Sequence, residues 1–299
     1  MRNILATAKF ELLSLSRDGG PRLMVGIFLA MMTISSLIGL LTNLTVSDVW
    51  RTISQQGLTV APNPFQDVSI LYYARNSVIY IILIGGLAAI IAGVTSGLRD
   101  RQAHSVDMIL TRQITTRGLL TGKLLGVSAW LTTALGAALS LIGLVLSLIA
   151  QRPLDWSETW SLVSLFAAGV PLLAGFGGIG LIFGVTARRE STALVSPIAI
   201  WSLITFVFPQ LGTAARPIAL LNPVSAVATS GGPFDFLSVL FSPVAFAEHF
   251  KSIAAGLLEG AGAAPTSTGA AISLVAFLGL VFVSLMLIKR EQIRGVVNE

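Results

Sequence analysis

Cysteine is absent from the 299 residues, which excludes disulfide scaffolding, thiol catalysis and thiolate metal ligands. Histidine is nearly absent: His104 and His249 are too few and too far apart in sequence to suggest a metal site. Charge is scarce, with Asp, Glu, Lys and Arg making up 11% of the chain. The common catalytic patterns are missing too. Glu248-His249 belongs to no HExxH pair, and neither GxSxG nor GxxxxGK[ST] occurs. "GLLTGKL" at Gly118 to Leu124 is one residue short of a phosphate loop, and Leu124 stands where Ser or Thr would hold magnesium. The chain is therefore expected to be no enzyme and to bind no metal or nucleotide of its own.

Apolar sequence is plentiful. Hydrophobic residues are 54% of the chain and mean hydropathy is +0.84, well outside the range of ordinary soluble domains. Six runs are long enough to cross a bilayer as helices, at 23–44, 78–94, 124–149, 160–183, 192–211 and 269–288. Their length and lack of period-2 alternation exclude a barrel. An all-α integral membrane fold of one domain, 1–299, is the expectation. The spans contain almost no ionisable residues, so a proton relay or ion-coupled transporter lacks its usual hardware.

Fourteen of the nineteen Lys and Arg lie in 1–22, 95–123, 184–191 and 289–299. The positive-inside rule puts those segments, and both termini, in the cytoplasm of a cell whose inner (plasma) membrane holds the chain. Basic cytoplasmic loops also account for the pI of about 10.1, and a net charge of +5 is too modest to suggest nucleic acid. Residues 1–22 carry six charges and no short apolar core before a cleavage site, so the first run reads as a retained span. Ile4, Leu5, Ala8, Leu12 and Leu15 share one helical face ahead of it, predicting an interfacial helix that Asp18-Gly-Gly-Pro21 breaks.

Seven charges crowd the stretch Ser96 to Lys123 between the second and third spans. Placing them in lipid would cost on the order of 20 kcal/mol, so 96–123 is cytoplasmic. Val106, Ile109, Leu110 and Ile114 recur at helix-face spacing within it. Either the ends of the neighbouring spans or a partner must cover that stripe. Outside, the connections 45–77 and 212–268 are long. The apolar middle of the second, Pro233 to Leu258, is broken by Asp235, Glu248, His249 and Lys251, and reads as short helices at the membrane surface. Gly85, Ala89, Gly93 and Gly97 recur every four residues, and Gly180 with Gly184 makes another pair. Such spacing lets helix backbones approach closely, within one chain or between two.

These parts together resemble the permease subunit of type-2 ATP-binding-cassette transporters, over essentially the whole chain. That family carries an acid after the second span, then a pattern like E-x-x-x-G-T-L-E-x-L-L-x-x-P-[IV]-S-R, and then Gly-Lys. In "DRQAHSVDMILTRQITTRGLLTGKLLG" the match runs through Asp100, Ser105-Val106-Asp107, Leu110, Ile114-Thr115, Arg117 and Gly122-Lys123. His104 replaces the usual Gly and Gln113 the usual Pro. "LLNPVSAVA" from Leu220 is similar to the Asn-Pro element of the branch named for copper-enzyme maturation.

The resemblance implies a coupling helix at 96–123, seated on a cytoplasmic ATPase present in two copies. Arg99, Asp100, Arg101, Asp107 and Arg112 would supply polar contacts to it, and Val106, Ile109 and Leu110 apolar ones. ATP and magnesium would sit on that ATPase. A second permease, identical or not, would pack against the second and fifth spans. Gly85, Ala89, Gly93, Gly97, Gly180 and Gly184 are then dimer or pathway candidates, with packing inside one chain as the alternative. Membrane lipids and an extracytoplasmic protein are further expected partners. Transport of an unidentified substrate, outward, is the implied function. A membrane anchor that recruits an ATPase without transporting is the other reading.

Overall fold

A computed structural model describes residues 2–59, 69–102, 115–213, 222–223, 233–258, 268–289 and 293, and every regular element among them is helical. Helix α1, Arg2–Arg17, precedes α2, Gly19–Gln55. A 3-10 turn, Ile70–Ala74, leads into α3, Ser77–Tyr80, a π-helical turn, Ile81–Gly85, and α4, Gly86–Gln102. Then come α5, Thr116–Ala150, and α6, Trp156–Thr186. Helix α7, Glu190–Ser202, continues through a second π turn, Leu203–Val207, into α8, Phe208–Thr213. Helices α9, Pro233–Phe241, α10, Phe246–Leu258, and α11, Thr268–Met286, complete the order.

Six stretches are long and apolar enough to cross a membrane: Gly19–Gln55, Ile70–Asp100, Thr116–Leu148, Trp156–Thr186, Glu190–Leu211 and Thr268–Met286. Each overlaps one of the six apolar runs. The helices overrun those runs because capping, not hydrophobicity, ends them. Thr115 Oγ1 accepts the Gly118 N–H at 3.1 Å to start α5, and the Asp155 N–H donates to Glu158 Oε2 at 2.8 Å at the start of α6. At the α1–α2 junction only Asp18 leaves the helix. Its carboxylate accepts the Gly20 N–H, so Gly19, Gly20 and Pro21 open α2 instead of breaking it. Proline is tolerated there because first-turn N–H groups have no helical partner.

The core is the contact between α4 and α6. A Cβ on Gly93 would fall 2.0 Å from the Gly177 carbonyl oxygen, and one on Gly180 would fall 2.3 Å from that of Ile90. Gly97 and Gly184 meet each other, with a Cβ on Gly97 2.7 Å from the Gly184 Cα. Gly85 faces Leu173 and Phe28, and Ala89 is fully buried. The ladder thus joins two helices of one chain at backbone contact. Consistent with this, 61% of the second span and 67% of the fourth are buried, against 24%, 22% and 28% of the first, fifth and sixth.

The π turn Ile81–Gly85 has a packing cause. The Trp201 indole N–H donates to the Ile82 carbonyl at 3.3 Å, and a Cβ on Gly86 would come within 2.7 Å of that same nitrogen. Wide turns of this kind leave a carbonyl for an outside donor. Between spans five and six, α9 packs on α8, and α10 packs on α6 and α11. Phe246 stacks on Phe277, halfway along α11, at 4.3 Å, and Phe277 also meets Phe176 of α6 at 5.5 Å. The Ser273 hydroxyl donates to the Pro243 carbonyl. Glu248 and Lys251, which read as surface charges, pair at 2.5 Å and bury together.

Candidate functional site

The charged stretch between the second and third spans is anchored by a buried ionic cluster at its two ends. Helix α1 lies directly on the first turns of α5 because two glycines leave room for its backbone. A Cβ on Gly122 would sit 2.9 Å from the Ile4 carbonyl oxygen, and one on Gly126 would sit 2.7 Å from that of Ala8. That approach drives Glu11, 1% exposed, between α4 and α5. The stripe Ile4, Ala8, Leu15 therefore faces the chain's own third span. Leu5, Phe10 and Leu13, with Lys9 and Arg17, face outward from it.

Glu11 collects three donors there. Lys123 Nζ, 2% exposed, reaches Glu11 Oε1 at 2.6 Å. Arg99 donates from Nη1 to Oε2 at 2.7 Å, and the Ser96 hydroxyl donates to the same oxygen at 2.9 Å. Lys123 is satisfied further by the Ser96 carbonyl at 2.7 Å and Asp100 Oδ2 at 3.0 Å. Arg99 also approaches Asp18 Oδ2 at 3.7 Å. Two carboxylates, Glu11 and Asp100, balance two cations, Arg99 and Lys123, inside the cluster. Removing one partner of such a buried set leaves an uncompensated charge and costs about 3–5 kcal/mol. The arrangement ties the last turns of α4, the first turns of α5 and α1 into one junction.

Arg99 and Asp100, expected to reach a partner, are thus both engaged within the chain. Arg101 lies in the final turn of α4. Val106, Asp107, Ile109, Leu110 and Arg112 fall outside the described residues, as does most of the Leu220 motif. The candidates Gly85, Ala89, Gly93, Gly97, Gly180 and Gly184 take the packing alternative described above. Sequence reasoning missed Glu11, Ser96 and Lys123 as a unit. One signal was available: Glu11 lies on the same helical face as Ile4, Ala8 and Leu15, a lone charge on an apolar stripe.

Charged groups meet elsewhere among the described residues as well. Glu248 and Lys251 pair within α10, where Lys251 also donates to the Asn222 carbonyl at 3.4 Å. Arg152 forks onto Glu158 at 2.7 and 2.9 Å and lies 3.3 Å from Asp155. Among the described residues no group of three His, Asp or Glu side chains is arranged to hold a metal ion.

Compared with known families, residues 17–292 match the model described as ABC-2 family transporter protein. No curated protein matches the chain. The family match begins at the end of α1, so Glu11 lies just ahead of it while Ser96, Arg99, Asp100 and Lys123 lie within it.

Proposed function

The chain belongs to the ABC-2 family of transporter proteins and is a multi-pass, non-catalytic membrane subunit of an ATP-binding-cassette transporter; on that premise we propose that it is the permease of an exporter driven by a separate ATPase docked on 96–123. The observation that carries this reading is the Glu11 cluster. A segment meant to pass force must be stiff where it joins the membrane helices, and five side chains there are locked by short contacts. A push on the segment would then move α1, α4 and α5 together, and through the glycine contacts α6 as well.

In this reading both termini and the cluster are cytoplasmic, following the basic residues, and the membrane is the inner one. Two ATPase copies, holding ATP and magnesium, serve two permeases. Of the two spans that the resemblance puts at the permease interface, the second is spent on packing within the chain. The fifth keeps Leu194, Val195, Leu203 and Val207 exposed, and we place the dimer contact on that face. The substrate passes between the two permeases and stays unnamed.

Docking is tested at Asp107, one of the residues that the resemblance assigns to the ATPase contact. Asp107→Lys should release the ATPase in a pull-down while the permease accumulates normally. One charge-assisted contact is worth about 1.5–3 kcal/mol, so loss of tenfold or more in affinity is expected. Unchanged co-purification and transport would remove the coupling assignment. Co-purification without any substrate-dependent ATPase activity would favour the anchor reading instead.

A further inference from the structure

The bundle does not close between the end of α5 and the start of α6. A groove of about 990 Å³ runs there, floored by Gly136, Ser140, Gly143 and Ser147 on α5 and walled by Phe166 on α6. These residues lie within the third and fourth spans, so the open side of the groove meets acyl chains and not water. Its size is at the upper end of the ~300–1,000 Å³ common for ligand sites. The turn 151–155 caps one end, which prevents another helix, ~10 Å across, from running through it.

The capped end is polar and its charges do not cancel. Arg152 is held by Glu158 and faces Asp155, so one cation stands against two carboxylates. Glu158 is committed by both its oxygens, whereas Asp155 is 71% exposed. Beside this mouth Trp156 and Trp160 stack at 6.4 Å and are 80% and 59% exposed. Exposed indoles of this kind mark headgroup depth. An anionic headgroup would be repelled by the net charge, and a purely apolar ligand would leave the surplus negative charge beside Arg152 uncompensated. A headgroup with both an ammonium and a phosphate matches Asp155 and the outer edge of Arg152.

We propose that the groove between α5 and α6 holds one amine-bearing zwitterionic phospholipid, its acyl chain along the Gly136–Ser147 face and its headgroup at Asp155 and Arg152. By the orientation given under the proposed function, the turn 151–155 is extracytoplasmic, which would put the lipid in that leaflet; this placement alone rests on that reading. The lipid itself does not.

The test uses the full chain in nanodiscs, which have no inside or outside, so neither transport nor orientation enters. Phosphatidylethanolamine carrying a photoreactive group in its acyl chain is cross-linked, and labelled peptides are mapped by mass spectrometry. Label should concentrate on residues 136–166. Ser140→Phe, which fills the groove from an exposed position, should cut that label at least fivefold while leaving label on the exposed face of α2 unchanged. Unlabelled phosphatidylethanolamine should compete and phosphatidylglycerol should not. Asp155→Asn, outside the groove walls and still able to cap α6, should abolish that preference. Label spread in proportion to exposed surface, or indifference to Ser140→Phe, would overturn the site. Equal competition by phosphatidylglycerol, or a preference that survives Asp155→Asn, would overturn the headgroup assignment.

Discussion

Glu11 accepts from Lys123, Arg99 and Ser96 at once, so single substitutions there should be far more damaging than their surface-loop setting suggests. Glu11→Ala should destabilise the chain by about 3–5 kcal/mol, read as lowered thermal stability of the detergent-solubilised permease. Glu11→Gln combined with Lys123→Gln should recover part of that loss. A double-mutant cycle should show a coupling of about 0.5–3 kcal/mol, and strict additivity would mean the two do not interact. Asp100→Lys belongs to this scale as well. It faces Lys123 at 3.0 Å, so it should lower stability and not only ATPase affinity, in contrast to Asp107→Lys. Equal stability of both reversals would show that Asp100 is not part of the cluster.

Helix pairing makes a sharper demand at the glycines. Any Cβ at Gly93 collides with the α6 backbone, which cannot yield without separating the helices. Gly93→Ala should therefore abolish accumulation of folded monomer, and Gly93→Leu should do no less. Gly279→Leu, on the exposed side of α11 with nothing within 4 Å, is the matched control and should be tolerated. Both are read by monodispersity on size exclusion. A Gly93→Leu chain that stays monodisperse as a monomer and loses only dimer would return the ladder to an interface between chains. Helix α10 teaches the same lesson about context. Glu248 and Lys251 are costly to bury singly and acceptable as a neutral i,i+3 pair.

For the whole molecule, the orientation proposed above rests on where the basic residues fall, and the lack of native cysteine makes it simple to check. A cysteine at Ser191, exposed in the first turn of α7, should resist an impermeant thiol reagent in intact cells. One at Gln55, at the far end of α2, should react. At ~1.5 Å per residue the 37 residues of α2 extend about 55 Å, so Gln55 stands well clear of a ~30 Å hydrocarbon core. Labelling of Ser191→Cys from outside would reverse the topology and move the Glu11 cluster away from any cytoplasmic ATPase.

Number, type and approximate place of the spans were legible in the sequence, because a bilayer imposes one length and one polarity on whatever crosses it. The charged stretch at 96–123 stood out for the same reason: seven charges would be costly in lipid. Partner choice was not legible. Arg99 and Asp100 read as charges available to another protein, since nothing in their spacing reveals that Glu11, 88 residues before Arg99 and 112 before Lys123, comes between them and Lys123. That meeting depends on Gly122 and Gly126 letting α1 settle on α5. Likewise the ladder from Gly85 to Gly97 announces close approach without saying to what, and only the position of Gly177, Gly180 and Gly184 on α6 decides it. Composition and period act locally along the chain and survive in the sequence. Which face meets which, and whether a charge is spent inside or offered outside, depends on contacts between distant segments that tertiary packing alone brings together.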